Sequence, residues 1–439
     1  MPEMTDQQMR QLMERALGYS KAEACEINIF GSQGGNIRYA RNSVSTAGAN
    51  EDTTLVVQSN FGSRTGTVTI NEFDDATLAR AVQRSEELAR LAPEDPEFMG
   101  PMGPQQYAAV NPKAYSRATA TITPEFRTRV AKASIDPASS RDCTAAGFFQ
   151  DSVNWQGMMN SKGLAAFHRQ TGGSLSVTVR SNDGTGSGYV SRDFNDVSGF
   201  NPESTSAIAL EKAVASRNPK AIEPGKYTVI LEPEAGVEML QVMIGSMDAR
   251  SADEGRSFLA KAGGTRVGEK LVDERVTIYS DPADPDVPSS PWIGDGRAVG
   301  RTNWIDRGVV ANLYYSRYWA QKQGKPATPF PTNMIMSGGN ASLEAMIRDT
   351  SRGVLVTRFW YIRFVDPQTL LLTGLTRDAT FYVENGQIKH AIKNLRFNES
   401  PVIMLNNIDA LGAPIRVQGS MIPPMRVRDF TFTSLSEAV

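Results

Sequence analysis

Imidazole and thiol groups, the side chains most often used as zinc ligands and catalytic bases or nucleophiles, are scarce in this sequence. Two histidines, His168 and His390, and two cysteines, Cys25 and Cys143, occur in 439 residues. A catalytic or structural zinc site needs three or four ligands that come close together. Because these four residues are far apart in the chain, we expect a structural or exposed role for each histidine and a buried, reduced thiol at each cysteine.

Carboxylates in residues 279–292 are a second set of possible ligands. Asp281, Asp284 and Asp286 lie in the segment YSDPADPDVPSSPW, and carboxylate oxygens are the ligands that hard cations prefer. The prolines and the irregular spacing do not match a calcium-binding loop, so we interpret the segment as a stiff, solvated surface loop. The runs SGGNAS and GDGRAVGR also lack the lysine and hydroxyl spacing of a P-loop and the full dinucleotide fingerprint.

Basic and aromatic residues alternate in the segment NLYYSRYWAQKQGK. A nucleic-acid site built there would stack bases on the rings, with Arg317 and Lys322 on the phosphates. The whole chain, however, has 46 basic and 48 acidic residues and a net charge of −2, so it has no general attraction for polyanions. We therefore expect the rings to pack in a core or an interface, and we predict no nucleic-acid partner.

The composition is that of an ordinary globular protein, with 40% hydrophobic and 21% charged residues. The first 20 residues contain no basic segment followed by an apolar one, and no window has about 18 uninterrupted apolar residues. The sequence therefore predicts a cytoplasmic protein without a membrane partner.

The segment VILEPEAGVEMLQVMIGSMDARSADEG, residues 229–255, is predicted to form a short strand, a turn and a helix. Its apolar residues at helical spacing are Val237, Leu240, Ile244 and Met247. Such a stripe indicates a helix that packs against a sheet. Gln241 and Asp248 lie at the margin of the stripe, where a polar residue usually has only a hydrogen-bonding role.

Helices and β-rich runs alternate on both sides of this segment. Residues 5–20 predict an amphipathic helix with a capping box formed by Thr5 and Gln8. Short β-rich runs follow in residues 23–70, and a second helix follows in residues 74–92. Beyond residue 227 the chain is mostly β, with a tight hairpin predicted at Asn385-Gly386 in ATFYVENGQIKHAI.

These patterns predict an α+β fold with two domains, each with a largely antiparallel sheet and packing helices. A chain of 439 residues exceeds the size at which one hydrophobic core stops growing. The proline-containing segment NPKAIEPGKYTVILEP precedes a new strand and indicates a boundary. We expect an N-terminal α+β domain at residues 1–220 and a C-terminal β-rich domain at residues 221–439.

The strand YTVILEP and the helix after it resemble the metal-binding segment of the TldD/PmbA family, also called TldD/TldE, whose members are metallopeptidases. In the catalytic branch of that family, the helix carries the motif His-Glu-x-x-x-His. The resemblance places the first His on Gln241, the Glu on Val242 and the second His on Ser246, so all three functional side chains are substituted. Gly245 matches the glycine that precedes the second histidine. The segment RVQGSMIPPMRV, which corresponds to the part with a cysteine ligand, contains no cysteine.

The resemblance extends over most of the chain. In the first half it includes NFGSRTG, the helix DDATLARAVQRSEELA and the strand pair around VNWQGMMNSKGLAAFHRQTGGSLSV. In the second half, NMIMSGGNASLEAMIRDTSRGVLV and FYVENGQIKHAIKNLRF resemble family segments in order and spacing.

The resemblance implies a non-catalytic, TldE-like subunit. Such a subunit assembles with a zinc-bearing TldD-like chain into a protease with an enclosed chamber that cleaves unfolded peptides or small proteins. It implies no catalytic residue and no metal in this chain, with zinc on the TldD-like partner. Exposed strand edges would hold an unfolded peptide by β-augmentation, through main-chain hydrogen bonds with little side-chain selectivity.

Two alternatives stay open from the residues. The chain is a metallopeptidase or hydrolase in its own right, through an unidentified site or one completed at an oligomer interface; or it is a homo-oligomeric, peptide-binding scaffold. Stoichiometric zinc in the purified chain favours the first alternative. Association with a homologue that contains His-Glu-x-x-x-His contradicts the second.

Overall fold

The computed structural model describes residues 3–436. In its first half, helices pack on one face of a long-stranded sheet. The elements, in chain order, are α1 (Asp6–Gly18), β1 (Ala24–Ala40), β2 (Ser43–Phe61), β3 (Arg64–Ile70), α2 (Asp75–Leu91), a 3₁₀ turn (Pro112–Ala114), α3 (Arg117–Ala120), α4 (Pro124–Ser140), β4 (Cys143–Asn160), β5 (Ala165–Ser181), β6 (Ser187–Phe194), a second 3₁₀ turn (Val197–Gly199) and α5 (Pro202–Ala215).

These six strands form one antiparallel sheet in the order β3-β2-β1-β4-β5-β6. Alternate residues of each strand face the helices, as the period of two in a strand requires. One apolar core lies under α1 and α2, and a second lies under α4 and α5. On the opposite face, β4 and β5 present mainly uncharged polar residues. They include Ser152, Asn154, Gln156, Gln170 and Ser174.

Helix α1 begins at the predicted capping box. The Thr5 side chain accepts a hydrogen bond from the backbone N–H of Gln8, and the Gln8 side chain accepts one from the backbone N–H of Thr5 at 2.8 Å. These two bonds satisfy N–H groups that have no partner within the helix. The helix then buries Met9 and Met13 in the first core.

Helix α4 has no counterpart in the sequence-based expectations. It starts with Thr123 as N-cap and Pro124 at the first helical position, and Pro137 lies inside it. An internal proline is unfavourable in a helix, and this residue weakens the sequence signal. A buried ion pair fixes α4 to the sheet: Arg127 donates from Nε and Nη2 to the carboxylate of Asp151 at 2.6 and 2.7 Å.

The second half contains most of the strands. Its elements are β7 (Gly225–Leu231), α6 (Pro233–Gly245), α7 (Ala249–Asp253), β8 (Ala260–Lys261), β9 (Gly264–Thr265), β10 (Ile278–Ser280), β11 (Thr302–Asp306), β12 (Val309–Val310), α8 (Arg317–Gln323), β13 (Met334–Met336), α9 (Leu343–Arg348), β14 (Arg352–Asp366), β15 (Leu371–Glu384), β16 (Gln387–Ala391), β17 (Leu395–Glu399), α10 (Pro401–Asn406), β18 (Ile408–Leu411), β19 (Ile415–Val417), β20 (Ser420–Ile422) and β21 (Met425–Leu435).

Five strands of this half form a closed ring of pairings. The order is β14-β7-β21-β17-β15, and β15 also pairs with β14. Aromatic residues of three of these strands pack together, with ring centroids of Phe359, Phe397 and Phe430 between 4.6 and 5.6 Å apart. A second sheet has the order β12-β11-β10-β13-β20-β19. The pairs β7–β14 and β13–β20 are parallel, and the other strand pairs are antiparallel, which confirms the predicted α+β class with largely antiparallel sheets.

The predicted hairpin joins β15 to β16. Asn385 has a φ of 49° and Gly386 a φ of 75°, the two positive values that a type I′ turn needs. A Cβ atom at Gly386 would lie 2.5 Å from the carbonyl oxygen of Arg348. Glycine is therefore required there by both φ and space.

The two halves of the chain contact each other through residues 92–116 and through ion pairs. In this irregular segment, Glu97 pairs with Arg250 at 3.0 Å, and Tyr107 donates to the carbonyl oxygen of Gly296 at 2.8 Å. The domain boundary between residues 220 and 221 lies in the segment between α5 and β7, and it stays a prediction.

Among residues 3–436, none of the helices has the length and apolar character needed to cross a membrane.

We expect Arg127→Ala to lower the free energy of unfolding by about 3–5 kcal/mol, because it leaves the carboxylate of Asp151 buried and unpaired. Urea unfolding, followed by far-UV circular dichroism, measures this change. Arg129→Ala on the exposed face of the same helix is the control, with an expected loss below about 1 kcal/mol. Equal effects of the two substitutions would contradict a structural role for the buried pair.

Candidate functional site

Helix α6, which contains the positions that resemble the metal motif, is buried on most of its surface. Proline at its first position and Glu232 as N-cap place its start directly after β7. All four residues of the predicted apolar stripe are at most 4% exposed, and they join the largest core of the protein. The prediction of a helix that packs on a sheet is confirmed.

One narrow face of α6 stays open. Gln241 and Gly245 are exposed, and Glu238 and Val242 are partly buried. Glu238, Gln241 and Val242 line a cavity of about 510 Å³, and its other lining residues are Trp360, Tyr361, Ile362 and Arg363 of β14. Two of the three motif positions, Gln241 and Val242, therefore face a groove between α6 and an aromatic section of β14.

The side chains at the motif positions do not form a ligand set. Val242 has no ligating atom, and the hydroxyl of Ser246 donates to the carbonyl oxygen of Val242 at 2.7 Å. The side chain of Gln241 makes no hydrogen bond to any other residue of the range 3–436. Within that range, no three His, Cys, Asp or Glu side chains are grouped so as to hold a metal ion. A zinc ion does not fit this set of donors, because it prefers imidazole, thiolate and carboxylate ligands.

The segment that corresponds to the cysteine-bearing part of the family packs against α6. It forms β19, β20 and the start of β21. A Cβ atom at Gly236 of α6 would lie 3.0 Å from Cε of Met425 and 3.3 Å from Cγ2 of Ile422. The small residue Gly236 therefore allows the segment to approach the helix closely.

Gly245 ends α6 without distortion. Its φ is not positive, and no atom lies within 4 Å of the place of a Cβ. Its carbonyl oxygen accepts a hydrogen bond from Oη of Tyr314 at 2.8 Å. The local geometry of this chain does not require glycine there, so its correspondence to the family glycine rests on the resemblance.

Glu238 is the titratable group of the groove whose pKa departs most from its usual range. Burial raises the pKa of this carboxyl to about 7, and the positive charge of Arg358 opposes the shift. No side chain among the described residues forms an ion pair or hydrogen bond with it. The sequence patterns do not single out Glu238, although a glutamate one turn before Gln241 on a helix with an apolar stripe is a usable signal.

Strand β14 is irregular where it lines the groove. Tyr361 has a φ of 58°, and the register with β15 shifts between Trp360 and Arg363. This bulge leaves Trp360 42% and Tyr361 62% exposed. The sequence does not predict this bulge, because the run RFWYIRF has the pattern of a continuous strand.

The two histidines lie apart. His168 on β5 is buried, its Nε2 is 3.2 Å from Oε1 of Gln170, and its Nδ1 has no hydrogen-bond partner among residues 3–436. Burial lowers the pKa of His168. His390 on β16 stacks on Tyr382 with ring centroids 5.5 Å apart. The structural roles expected for both residues are consistent with these contacts.

Cys25 and Cys143 are both buried and free, as predicted, and burial raises the pKa of Cys25. In the acidic loop, Asp281 accepts from the backbone N–H of Ala283 at 3.0 Å, and Asp284 accepts from that of Asp286 at 2.9 Å. These bonds stabilise local turns in a proline-rich loop.

The aromatic and basic segment around α8 packs between the halves. Arg317 donates to the carbonyl oxygens of Gly100 and Met99 at 2.7 and 3.0 Å. Trp319 is buried, and Nζ of Lys322 lies 4.8 Å from the centre of its indole ring. The expected packing role is confirmed.

Three domain models of one protein family match this chain. The description PmbA/TldA metallopeptidase applies to all three: domain 1 matches residues 25–89, the central domain matches residues 119–217, and the C-terminal domain matches residues 224–434.

Relatives with known names point to the same family. The protein named metalloprotease PmbA from Escherichia coli O157:H7 is 22% identical over 446 residues, which cover 95% of this chain and 96% of that protein. A protein named metalloprotease from Methanothermobacter thermautotrophicus is 22% identical over 294 residues, 61% of this chain and 62% of that protein. The crystal structure of TldE from Thermococcus kodakarensis has the same fold, with a TM-score of 0.87 at 16% identity over 97% of this chain and 99% of that one.

We expect Glu238→Gln to stabilise the protein at pH 8 by about 1–3 kcal/mol and to leave its stability unchanged at pH 4. A carboxyl with a raised pKa stabilises the folded state fully below its unfolded pKa, and this contribution is lost as the pH rises through about 7. Urea unfolding at the two pH values measures the difference.

Glu344→Gln is the control for this substitution. Hydrogen bonds at the start of α9 lower the pKa of Glu344, so a neutral amide should not stabilise the protein at pH 8. No gain from Glu238→Gln, or the same gain at both pH values, would show that Glu238 is not destabilised by burial.

Proposed function

This chain belongs to the PmbA/TldD metallopeptidase family, and we propose that it is the zinc-free partner subunit of a TldD/TldE-type metalloprotease complex. A TldD-like chain would supply the zinc ion and the catalytic residues. The complex would cleave unfolded peptides or small proteins, and this chain would contribute to binding them.

The side chains that α6 presents at the motif positions carry this proposal. The amide of Gln241 is neutral and lacks the basicity of an imidazole, and Val242 has no carboxylate to act as a general base. The hydroxyl of Ser246 is bonded to the turn that precedes it. A metallopeptidase needs zinc ligands and a base close to the zinc-bound water, and these three residues provide neither.

Packing explains why the helix is kept without its ligands. Removing one buried side chain of α6 would leave a cavity in the core that it shares with β7, β14 and β21. The open face has no such constraint, and its residues are free to change. This combination supports a subunit that keeps the architecture of its family and has a binding function.

The remaining expectations belong to the same proposal. They are a cytoplasmic location, zinc on the partner, an unfolded peptide as substrate, and separate domains at residues 1–220 and 221–439. A homo-oligomer without a TldD-like partner is the competing form of assembly.

A peptidase assay on an unfolded polypeptide, with zinc quantified in the same samples, tests the proposal. The purified chain, a TldD-like homologue with His-Glu-x-x-x-His, and their mixture are compared. We expect activity with the mixture and zinc on the homologue, with at most a trace of zinc on this chain. Chelator-sensitive activity and stoichiometric zinc in the pure chain would support the competing view of an independent metallopeptidase.

We expect Gln241→Ala to change the free energy of unfolding by less than about 0.5 kcal/mol and to leave partner binding intact, because Gln241 is exposed. Urea unfolding and size-exclusion chromatography of the mixture measure the two quantities. Leu240→Ala, at the neighbouring buried position, should cost about 2–5 kcal/mol. A loss of folding or assembly in Gln241→Ala would reveal a structural role at this position.

A further inference from the structure

The groove between α6 and β14 contains polar side chains whose hydrogen-bonding capacity is mostly unused. Glu238, Gln241 and Arg363 line it, beside apolar and aromatic residues of the same two elements. None of the three forms an ion pair with another of residues 3–436, and the side chains of Glu238 and Gln241 also form no hydrogen bond in that range. A few polar groups in a concave, largely apolar surface are typical of a ligand-binding site.

Arg363 supplies a positive charge at one side of the groove. Its Cζ atom lies 4.1 Å from the centre of the Tyr361 ring, and its Nη1 donates to the carbonyl oxygen of Ile362 at 2.8 Å. The contact with the ring stabilises the guanidinium in this position. Because a guanidinium has five N–H groups and one of them is used, Arg363 keeps donors for a ligand.

Glu238 and Gln241 lie on the other side of the groove, on α6. They are three residues apart and therefore share one face of the helix. Gln241 is exposed and Glu238 is partly buried, so the carboxyl lies deeper in the groove than the amide. An amide NH₂ group donates two hydrogen bonds, and a carboxyl donates one when it is protonated.

Arg358 of β14 is the charged group that acts on Glu238. Nη2 of Arg358 pairs with the buried Asp378 of β15 at 2.7 Å, so much of its charge is already balanced. Its guanidinium also stacks on Tyr189 of β6, with Cζ 3.7 Å from the ring centre. Burial raises the pKa of Tyr189, so this hydroxyl is uncharged near neutral pH. None of these groups is a direct counter-ion of Glu238.

Other charged groups on or near α6 form pairs with one another, and none of them lines the groove. Helix α10, which packs on α6, has only uncharged side chains. The ion pairs are Glu232–Lys212, Glu234–Arg192 and Arg416–Asp193. Glu238 and Arg363 are thus the charged or titratable side chains of the groove that lack a counter-ion among residues 3–436.

The protonation state of Glu238 determines which ligand fits. Burial raises the pKa of this carboxyl to about 7, so below pH 7 it is mainly a neutral hydrogen-bond donor. Three donor groups and the charge of Arg363 then suit an anion. A cation would need the ionised carboxylate that burial disfavours. A phosphate group carries about 1.5 to 2 negative charges near neutral pH, which one unpaired arginine balances poorly.

We propose that the groove binds a carboxylate group, with Arg363, Gln241 and the carboxyl of Glu238 as its hydrogen-bond donors. The two oxygens of a carboxylate match the planar fork of a guanidinium, and an apolar side chain next to the carboxylate packs on Trp360 and Tyr361. The carboxylate is the C-terminus of a polypeptide or an acidic side chain. Binding needs no zinc, no partner subunit and no cleavage, so it does not rest on the proposed function.

Isothermal titration calorimetry of the pure chain at pH 6 tests the proposal. The first probe is the peptide acetyl-Ala-Ala-Leu with a free C-terminal carboxylate, and the second is the same peptide with a C-terminal amide. We expect the amide to bind about tenfold more weakly or less, because it loses the charge-assisted hydrogen bonds. Acetyl-Ala-Glu-Leu-amide carries its carboxylate on a side chain, and binding of this peptide at the affinity of the first would assign the site to acidic side chains as well.

The same titration at pH 8 tests the role of Glu238. The carboxylate of the probe stays ionised at both pH values, whereas Glu238 is only about one-tenth protonated at pH 8. The affinity should therefore fall about tenfold from pH 6 to pH 8, with an uptake of about one proton on binding at pH 8. Glu238→Gln keeps a neutral donor at both pH values, so its affinity should change less than about twofold, without proton uptake.

Arg363→Gln should weaken binding of the acid peptide about tenfold or more at both pH values, because it removes the positive charge. Arg428→Gln is the matched control, since Arg428 is an exposed strand arginine outside the groove. It should change the affinity less than about twofold. Both variants should keep the wild-type unfolding midpoint, which separates lost binding from lost folding.

Equal binding of the acid and amide peptides, no binding of either carboxylate peptide, or an affinity of the wild type that does not depend on pH would overturn the proposal. Tighter binding of acetyl-Ala-Lys-Leu-amide, or of inorganic phosphate, would identify a different ligand class and also overturn it. Failure of the mixture to cleave polypeptide would count against the proposed function alone, because the calorimetry contains only this chain.

Discussion

The burial of α6 is the constraint on which the rest of the structure depends. Its apolar side chains fill the space between the ring of strands around β7 and the sheet that contains β20, and Gly236 allows Met425 to approach the helix axis. Only the face with Glu238, Gln241 and Val242 remains open. Packing therefore stabilises the helix as an element, whereas the exposed Gln241 on the groove contributes little to that packing.

Ion pairs at the start of α6 couple this core to the first half of the chain. Glu232 pairs with Lys212 of α5, and Glu234 pairs with Arg192 of β6 at 2.7 Å. Burial raises the pKa of Glu232, and Lys212 opposes that shift. Breaking a buried pair costs about 3–5 kcal/mol, so these two contacts stabilise the packing of α5 and β6 against the start of α6.

Local patterns predicted the elements whose sequence signals lie within one short segment of the chain. The capping box at Thr5, the apolar stripe of α6 and the Asn385-Gly386 turn each depend on residues within a few positions of one another, and all three are confirmed. The packing of the rings around α8 was also predicted, because the balanced charge of the chain argues against a polyanion site. The resemblance to the PmbA/TldD family added the positions of the motif, which periodicity alone does not mark.

Features that depend on contacts between residues far apart in the sequence could not be predicted from local patterns. Helix α4 is stabilised by the pair between Arg127 and Asp151, and its internal proline weakens the local signal. The bulge at Tyr361 lies in the pairing of β14 with β15, and the raised pKa of Glu238 comes from burial in the folded chain.

The most direct test of the central claim is an anomalous difference map at the zinc edge from crystals of this chain bound to a TldD-like subunit. A zinc peak at the partner's His-Glu-x-x-x-His helix, with none at Gln241, Val242 and Ser246, is the predicted result, and a peak at α6 of this chain would contradict it.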